Sequence, residues 1–149
     1  MTTLYNEIII QAPIERIWQA LTDIEKLEKY DPTVKTSTAV STSKSGLNAK
    51  RRVVMLDGKN WLEEKITVFK PMELLTFQLT DCSFPVKNLQ HSYSFERDGD
   101  EIKVKQVMEY QIKFGFFGRV LDKLMIRRQS DGGIKKFMAG LKSYTENKN

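Results

Sequence analysis

The sequence predicts an α+β domain in which an antiparallel sheet of six to seven strands curves beneath one long C-terminal helix. Three observations support this fold class. Two short helical patterns lie near the N-terminus, about a hundred residues of alternating apolar segments and turn signals dominate the chain, and an amphipathic segment from about Phe116 to Tyr144 closes it. A curved sheet under such a helix encloses a cavity, and 149 residues suit a single domain spanning 1–149.

The first 32 residues predict one strand followed by two short helices. Residues 4–11 are apolar and β-branched enough for a strand, and Pro13 suits the first turn of a helix. We expect Asp23 to cap a second short helix that ends before Asp31-Pro32. The first helix has one apolar face with spacing i, i+3, i+4 and i+7, formed by Ile14, Ile17, Trp18 and Leu21.

Turn signals divide the middle of the chain into hairpins. They are Ser45-Gly46, Asp57-Gly58, Lys70-Pro71 and Asp98-Gly99. If Asp98-Gly99 is a two-residue turn, His91 faces Gln106, and a shift of the turn by one residue changes the partners but preserves the face. That face is apolar apart from His91 and Gln106, and consists of Leu89, His91, Tyr93, Phe95, Ile102, Val104, Gln106, Met108, Tyr110 and Ile112.

A tight turn at Asp57-Gly58 places Arg51 opposite Glu64 by the same reasoning. These two charged residues interrupt a second apolar face, and a bulge would reverse every assignment beyond it. The apolar members of this face are Ala49, Val53, Leu62, Ile66, Val68, Leu75, Phe77 and Leu79.

The final amphipathic segment contains Gly132-Gly133, which predicts a kink or two helices in tandem. Its polar side is basic, with Arg119, Lys123, Arg127, Lys135, Lys136 and Lys142, and three aromatic residues, Phe114, Phe116 and Phe117, lie near its start. A basic helix with exposed aromatics predicts transient contact with an anionic membrane surface. The alternative is an ordinary solvated helix face.

Composition excludes several classes of function. The net charge of +5 is spread along the chain, so we expect no nucleic-acid binding. One histidine, His91, and one cysteine, Cys82, offer no metal-ligand spacing, so we expect no metal site and no cofactor. The single cysteine, with no signal-peptide or membrane-span pattern, predicts a cytoplasmic protein.

Two segments resemble a known family. Residues 10–23, Ile-Gln-Ala-Pro-Ile-Glu-Arg-Ile-Trp-Gln-Ala-Leu-Thr-Asp, and then Tyr30-Asp-Pro-Thr-Val, are similar to the opening of the START-like (SRPBCC) superfamily. Residues 140–146 resemble the close of its polyketide cyclase/dehydrase and lipid-transport branch. The resemblance implies a helix-grip (Bet v 1-like) fold with a ligand cavity. It carries over no universal catalytic residues.

The polar interruptions of the two apolar faces are the candidate site residues. His91 and Gln106 either contact a polar group of the ligand or bond each other, unless a bulge turns Gln106 outward. Arg51 and Glu64 form either an exposed ion pair at the sheet rim or an anchor for an anionic ligand. The remaining predicted ligand contacts are aromatic or adaptable wall residues: Phe77, Tyr93, Met108, Tyr110 and Met125.

Two functions remain open at the sequence level. The first is binding or transport of a small hydrophobic molecule, such as a lipid, isoprenoid or aromatic polyketide. The second is a cyclase or dehydratase in which His91, assisted by a carboxylate, is the catalytic acid or base. A lone histidine on an apolar face is more often a satisfied core residue, so the two readings are distinguished by whether His91 and a carboxylate converge in the cavity.

Overall fold

The computed structural model describes residues 1–113, 115, 117, 120 and 122–147, excepting the side chains of residues 123 and 124. Within them seven strands are formed, β1 (Thr2–Ile10), β2 (Val34–Ala39), β3 (Lys50–Met55), β4 (Trp61–Lys70), β5 (Leu74–Cys82), β6 (Val86–Asp98) and β7 (Glu101–Ile112). The helices are α1 (Ile14–Thr22) and α2 (Arg127–Glu146), accompanied by a 3₁₀ turn (Leu27–Lys29) and a π-helical turn (Asp122–Ile126).

The seven strands form one antiparallel sheet in the order β1-β7-β6-β5-β4-β3-β2. Helices α1 and α2 cover one face of it, called the inner face below. Trp18 of α1 lies edge-on to Phe69 and Phe95, with ring centroids 5.2 and 5.9 Å away. Phe137 of α2 packs 5.8 Å from Tyr93. The predicted architecture, a sheet beneath a C-terminal helix, is confirmed.

The N-terminal prediction is correct for α1 and wrong for Asp23. The four predicted apolar residues of α1 are all buried. Asp23 ends α1 and begins no second helix, because its N–H still bonds the carbonyl of Gln19 while its backbone leaves the helical region at ψ 89°. A single 3₁₀ turn, Leu27–Lys29, follows.

The β6–β7 hairpin preserves the predicted face but not the predicted partners. Asp98 pairs with Glu101, so Gly99-Asp100 is the turn, and His91 lies opposite Met108 while Tyr93 lies opposite Gln106. Gly99 takes the first turn position with φ 62°, a conformation that glycine adopts readily. The shift moves both strands by one residue, so the same side chains stay inside.

The β3–β4 register is as predicted, with Arg51 opposite Glu64 and Val53 opposite Leu62. Beyond it, β4 and β5 contain two register shifts, after Glu63 and after Ile66. The second shift makes the assignment of Val68 to the inner face wrong, because Phe69 there pairs with Leu75 and packs against Trp18. Bulges of this kind bend a strand and invert the faces beyond them.

Helix α2 runs without a break through Gly132-Gly133, so the prediction of two tandem helices joined there is wrong. The departure from α-helical geometry lies earlier, in the π-helical turn. Phe114, Phe116 and Arg119, named in the membrane prediction, lie outside the described residues. None of the described helices is long and apolar enough to cross a membrane.

Tyr30 fixes the position of α2 against the N-terminal segment. Its ring lies 5.6 Å from Phe137 and 5.4 Å from Tyr144. Its carbonyl oxygen lies against Gly140, where a β-carbon would approach to 1.8 Å. Only glycine allows the helix backbone to come this close.

Candidate functional site

Four side chains on the inner face form a buried hydrogen-bonded network. Glu64 of β4 accepts from Arg51 of β3 through one oxygen, with Oε1 2.9 Å from Nε and 2.7 Å from Nη2. Its other oxygen, Oε2, lies 2.7 Å from Nε2 of His91 on β6. Nδ1 of His91 lies 3.1 Å from the hydroxyl of Tyr93. Arg51, Glu64, His91 and Tyr93 are all buried.

The sheet order explains why residues so far apart in sequence meet. Strand β5 lies between β4 and β6, and its Phe77 pairs with Ile66 on one side and His91 on the other. The Phe77 ring stacks on His91 at 5.1 Å and 10°, and the Arg51 guanidinium carbon lies 4.3 Å from its centroid. The Phe77 ring therefore contacts both Arg51 and His91 and packs beneath the polar network.

Glu64 is ionised in this network. Burial raises the pKa of the carboxyl, but the charges and hydrogen bonds of His91 and Arg51 together outweigh it and lower the pKa to about 2. Burial also opposes the charge of Arg51, yet Glu64 raises the pKa of the guanidinium overall. The two side chains are only 5% and 3% exposed, so the prediction of an exposed rim pair is wrong.

Both ring nitrogens of His91 are engaged by protein groups. An ionised carboxylate only accepts hydrogen bonds, so Nε2 carries a hydrogen and donates to Glu64. Nδ1 is engaged by the hydroxyl of Tyr93, 3.1 Å away. His91 and a carboxylate thus converge, as the enzyme hypothesis requires, but His91 has no nitrogen free to face a ligand.

Gln106 is the last member of the network and is joined to it through Tyr93. Burial raises the pKa of Tyr93, while a hydrogen bond from the Gln106 side chain works in the opposite direction. A contact that lowers a phenol pKa stabilises the phenolate, so the Gln106 amide N–H is the donor. Two of the expectations for Gln106 are wrong: it does not bond His91, whose partners are Glu64 and Tyr93, and no bulge turns it outward, because it is 3% exposed on the inner face.

Gln106 Oε1 has no hydrogen-bond partner although it is buried. The only other such side-chain atom among the described residues is Oε1 of Glu28, whose second oxygen accepts from the backbone of Ser37. Native structures rarely leave a buried acceptor unpaired unless water or a ligand supplies the donor. Gln106 Oε1 is therefore the hydrogen-bond acceptor of the network that remains available to a ligand or a water molecule.

Half-buried apolar side chains surround this network on the inner face. Leu79 pairs with Glu64, Met108 pairs with His91, and Leu62 lies two residues from Glu64 on β4. All three are only partly buried although they pack against the core. An apolar surface with a few convergent polar groups is typical of small-molecule sites.

The remaining predicted contacts lie apart from the network. Tyr110 donates to Oδ1 of Asp122 at 2.6 Å, and Thr2 donates to Oδ2 at 2.5 Å. The side chain of Met125 is 51% exposed. Sequence reasoning missed both Thr2 and Asp122, and the only signal was a carboxylate among the mostly apolar residues 120–126.

Two pockets lined by described residues lie away from the network. One lies between α1 and α2, against Arg16, Tyr30 and Tyr144. The other is an open groove between β1 and the start of α2, beside Tyr5 and Arg128. No group of three His, Cys, Asp or Glu in the described part of the chain is placed to hold a metal ion.

Known structures share this fold at low sequence identity. A protein from Thermus thermophilus is 20% identical, covers 97% of both chains and superposes with a TM-score of 0.81. XoxI from Bacillus cereus is 15% identical over 99% of this chain and 97% of its own, with a TM-score of 0.78. A START superfamily protein from Mycobacterium smegmatis is 13% identical over 97% of both chains, with a TM-score of 0.77.

No curated protein matches the chain. The family described as polyketide cyclase/dehydrase and lipid transport matches residues 1–146, nearly the whole sequence. The residue pattern of the N-terminal segment, the helix-grip architecture and this match agree. The chain belongs to the polyketide cyclase/dehydrase and lipid-transport family.

Proposed function

We propose that this protein binds a small hydrophobic molecule on the inner face of the sheet, with a polar group of that molecule at Gln106. The observation that carries the proposal is the buried Oε1 of Gln106, which has no partner. An unpaired buried acceptor costs about 1–3 kcal/mol. A ligand that supplies the missing partner recovers this free energy on binding.

The apolar side chains of the inner face support an apolar body for the ligand. Leu62, Leu79 and Met108 are half-buried on the same face, and covering them removes apolar surface from water. Phe77, Arg51 and Glu64 hold His91 and Tyr93 in place beneath. Met125 in the π-helical turn and Tyr110, which bonds Asp122 of that turn, are proposed to contact the end of the ligand that is farther from Gln106. The single cysteine, Cys82, supports a reducing compartment such as the cytoplasm.

The experiment is native mass spectrometry of the protein purified from its own host. We expect the wild type to retain a small molecule and the Gln106→Leu variant to retain less of it. Gln90→Leu is the matched control, because Gln90 is a half-buried glutamine on β6 that faces away from the network. An empty wild-type protein, or equal occupancy in a folded Gln106→Leu variant, contradicts the proposal.

A second candidate function is cyclisation or dehydration of the bound molecule. It is favoured by the 2.7 Å contact between His91 and Glu64. In an aldol cyclisation a carbon loses a proton, bonds to a carbonyl carbon, and the carbonyl oxygen gains a proton; in the dehydration a carbon loses a proton and the protonated hydroxyl leaves as water, so positioned acid and base groups suffice. With both ring nitrogens of His91 engaged, Tyr93 is the group through which a proton reaches the ligand. Turnover of a poly-β-ketone tests this: His91→Gln should abolish product while ligand affinity is retained, and unchanged turnover rejects it.

Ligand loading at a membrane surface is a further part of the proposal. Phe117, Val120 and Met125 are 81%, 44% and 51% exposed, and Arg127 and Arg128 lie one turn beyond. Apolar and basic side chains together favour anionic lipid. Co-sedimentation with vesicles containing phosphatidylserine, compared with phosphatidylcholine alone, measures the effect. Absence of binding to both rejects membrane contact.

A further inference from the structure

We infer that the ligand presents an uncharged hydrogen-bond donor, a hydroxyl group, to Gln106 Oε1, and carries no carboxylate or phosphate at this position. The inference rests on the proposed function and specifies the chemistry of its ligand. Two independent features lead to it: the direction of the hydrogen bonds in the network, and the balance of buried charge around it.

The direction of the hydrogen bonds is set from the Glu64 end. Its ionised carboxylate only accepts, so Nε2 of His91 donates to it, and the hydroxyl of Tyr93 occupies Nδ1 of the same ring. Gln106 lies opposite Tyr93 on β7, and its side-chain hydrogen bond acts to lower the pKa of the phenol, as an amide N–H donor does. This arrangement leaves the buried carbonyl oxygen Oε1 of Gln106 without a partner.

Gln106 therefore offers the ligand an acceptor. A hydroxyl group satisfies Oε1 directly, whereas an ether, carboxylate or phosphate brings a second acceptor against it. Two acceptors in contact leave the buried carbonyl unpaired and add repulsion. A site built around a polar partner discriminates strongly against analogues that lack that partner.

Buried charge also disfavours an anion. Arg51 is the only buried lysine or arginine among the described residues, and its Nε and Nη2 both bond Glu64. The pair carries no net charge, the buried ring of His91 has both nitrogens engaged by Glu64 and Tyr93, and the buried Asp31 and Asp122 are acidic. A buried anion without a free cation has a large desolvation cost. The earlier hypothesis of Arg51 as an anion anchor therefore conflicts with Glu64, which already holds the guanidinium.

Two matched sets of probes test the inference by isothermal titration calorimetry at neutral pH. The aromatic set is 2-naphthol, 2-methoxynaphthalene and 2-naphthoate; the aliphatic set is dodecanol, dodecyl methyl ether and dodecanoate. Within a set the three probes share an apolar body and differ in donor and charge. We expect the alcohol to bind about tenfold more tightly than the ether, and the anion to bind more weakly still.

The Gln106→Met variant should remove the preference for alcohol over ether to within about twofold, while ether affinity is retained. Gln90→Met, on the outer face, should leave the wild-type preference unchanged. An anion that binds as tightly as the alcohol, or an alcohol preference that survives in Gln106→Met, overturns the inference but leaves the proposed binding function intact. If no probe of either set binds the wild type, both fail.

Discussion

Glu64 is the residue on which the inner-face network depends, because its two oxygens hold Arg51 and His91 separately. A buried ion pair is weak evidence for net stability, but removal of one partner leaves the other charge buried and uncompensated. We expect Glu64→Gln to lower the free energy of unfolding by about 3–5 kcal/mol, measured by urea denaturation.

Glu63→Gln is the matched control for that variant. Glu63 is the neighbouring residue, and it pairs with Arg52 at 3.0 Å on the outer face, where the side chains are 22% and 40% exposed. Its replacement should cost about 0–1 kcal/mol. Equal losses in the two variants would show that Glu64 is energetically an ordinary surface residue.

The lowered pKa of Glu64 predicts a specific acid sensitivity. The folded pKa of about 2 lies below the ordinary value of 4.5, so the ionised carboxylate stabilises the fold above the ordinary value and this contribution is lost as the pH falls toward 2. The difference in unfolding free energy between wild type and Glu64→Gln should therefore shrink between pH 5 and pH 2. A difference that stays constant over this range excludes the lowered pKa.

Single-residue reasoning reached part of this network from the sequence. The turn at Asp57-Gly58 placed Arg51 opposite Glu64, since hairpin register follows from local turn geometry. The contact between Glu64 and His91 was not predictable in this way. It crosses β5, and no local signal states which two hairpins lie side by side or which part of the sheet a helix covers.

At the scale of elements, α2 depends on its closest approach to the N-terminal segment. Gly140 lies against the carbonyl of Tyr30, and an added β-carbon would overlap the oxygen at 1.8 Å. Since both partners are backbone, neither can move aside as a flexible side chain would. We expect Gly140→Ala to reduce the unfolding free energy by about 2 kcal/mol or more, measured as the urea midpoint.

Gly132→Ala provides the opposite expectation in the same helix. Apart from the adjoining residues and backbone of the helix itself, no atom lies within 4 Å of the β-carbon that alanine would add there. Alanine is favoured over glycine in helix interiors by about 1 kcal/mol, so this variant should be more stable than the wild type. If both substitutions destabilise the protein, the gain in helix propensity expected at Gly132 is wrong, while the overlap expected between Gly140→Ala and Tyr30 still stands.

The face on which each strand residue lies could be predicted from sequence where a strand has no bulge, but not beyond a bulge. The alternation of β6 and β7 survived a shift of the turn, because both strands moved together. The alternation of β4 failed after Ile66, because one inserted residue changes the face of Val68 and Phe69. Val68 and Phe69 are both apolar, so residue type does not show which of them points inward. The packing of Phe69 against Trp18 places Phe69 on the inner face.

For the whole molecule, polar contacts between distant segments seat the C-terminal region on β1. Asn6 donates to Asp131 at 3.0 Å, and Lys142 donates to the carbonyl of Ile9 at 2.8 Å. At the π-helical turn, Asp122 accepts from Thr2, 120 residues away in sequence. Long-range contacts of this kind close the sheet and the C-terminal helix into one unit, and local sequence patterns contain no trace of them.

Asp122 is therefore expected to control how firmly the π-helical turn is held against the sheet. Asp122→Ala leaves the hydroxyls of Thr2 and Tyr110 without their shared acceptor, at a cost of about 1–3 kcal/mol. Amide hydrogen exchange over residues 122–130 should accelerate, since local opening requires less free energy. Exchange in the β6–β7 hairpin should stay at the wild-type rate. Acceleration spread over the whole chain would instead indicate that Asp122 contributes only to global stability, and unchanged exchange would show that its contacts do not hold the turn.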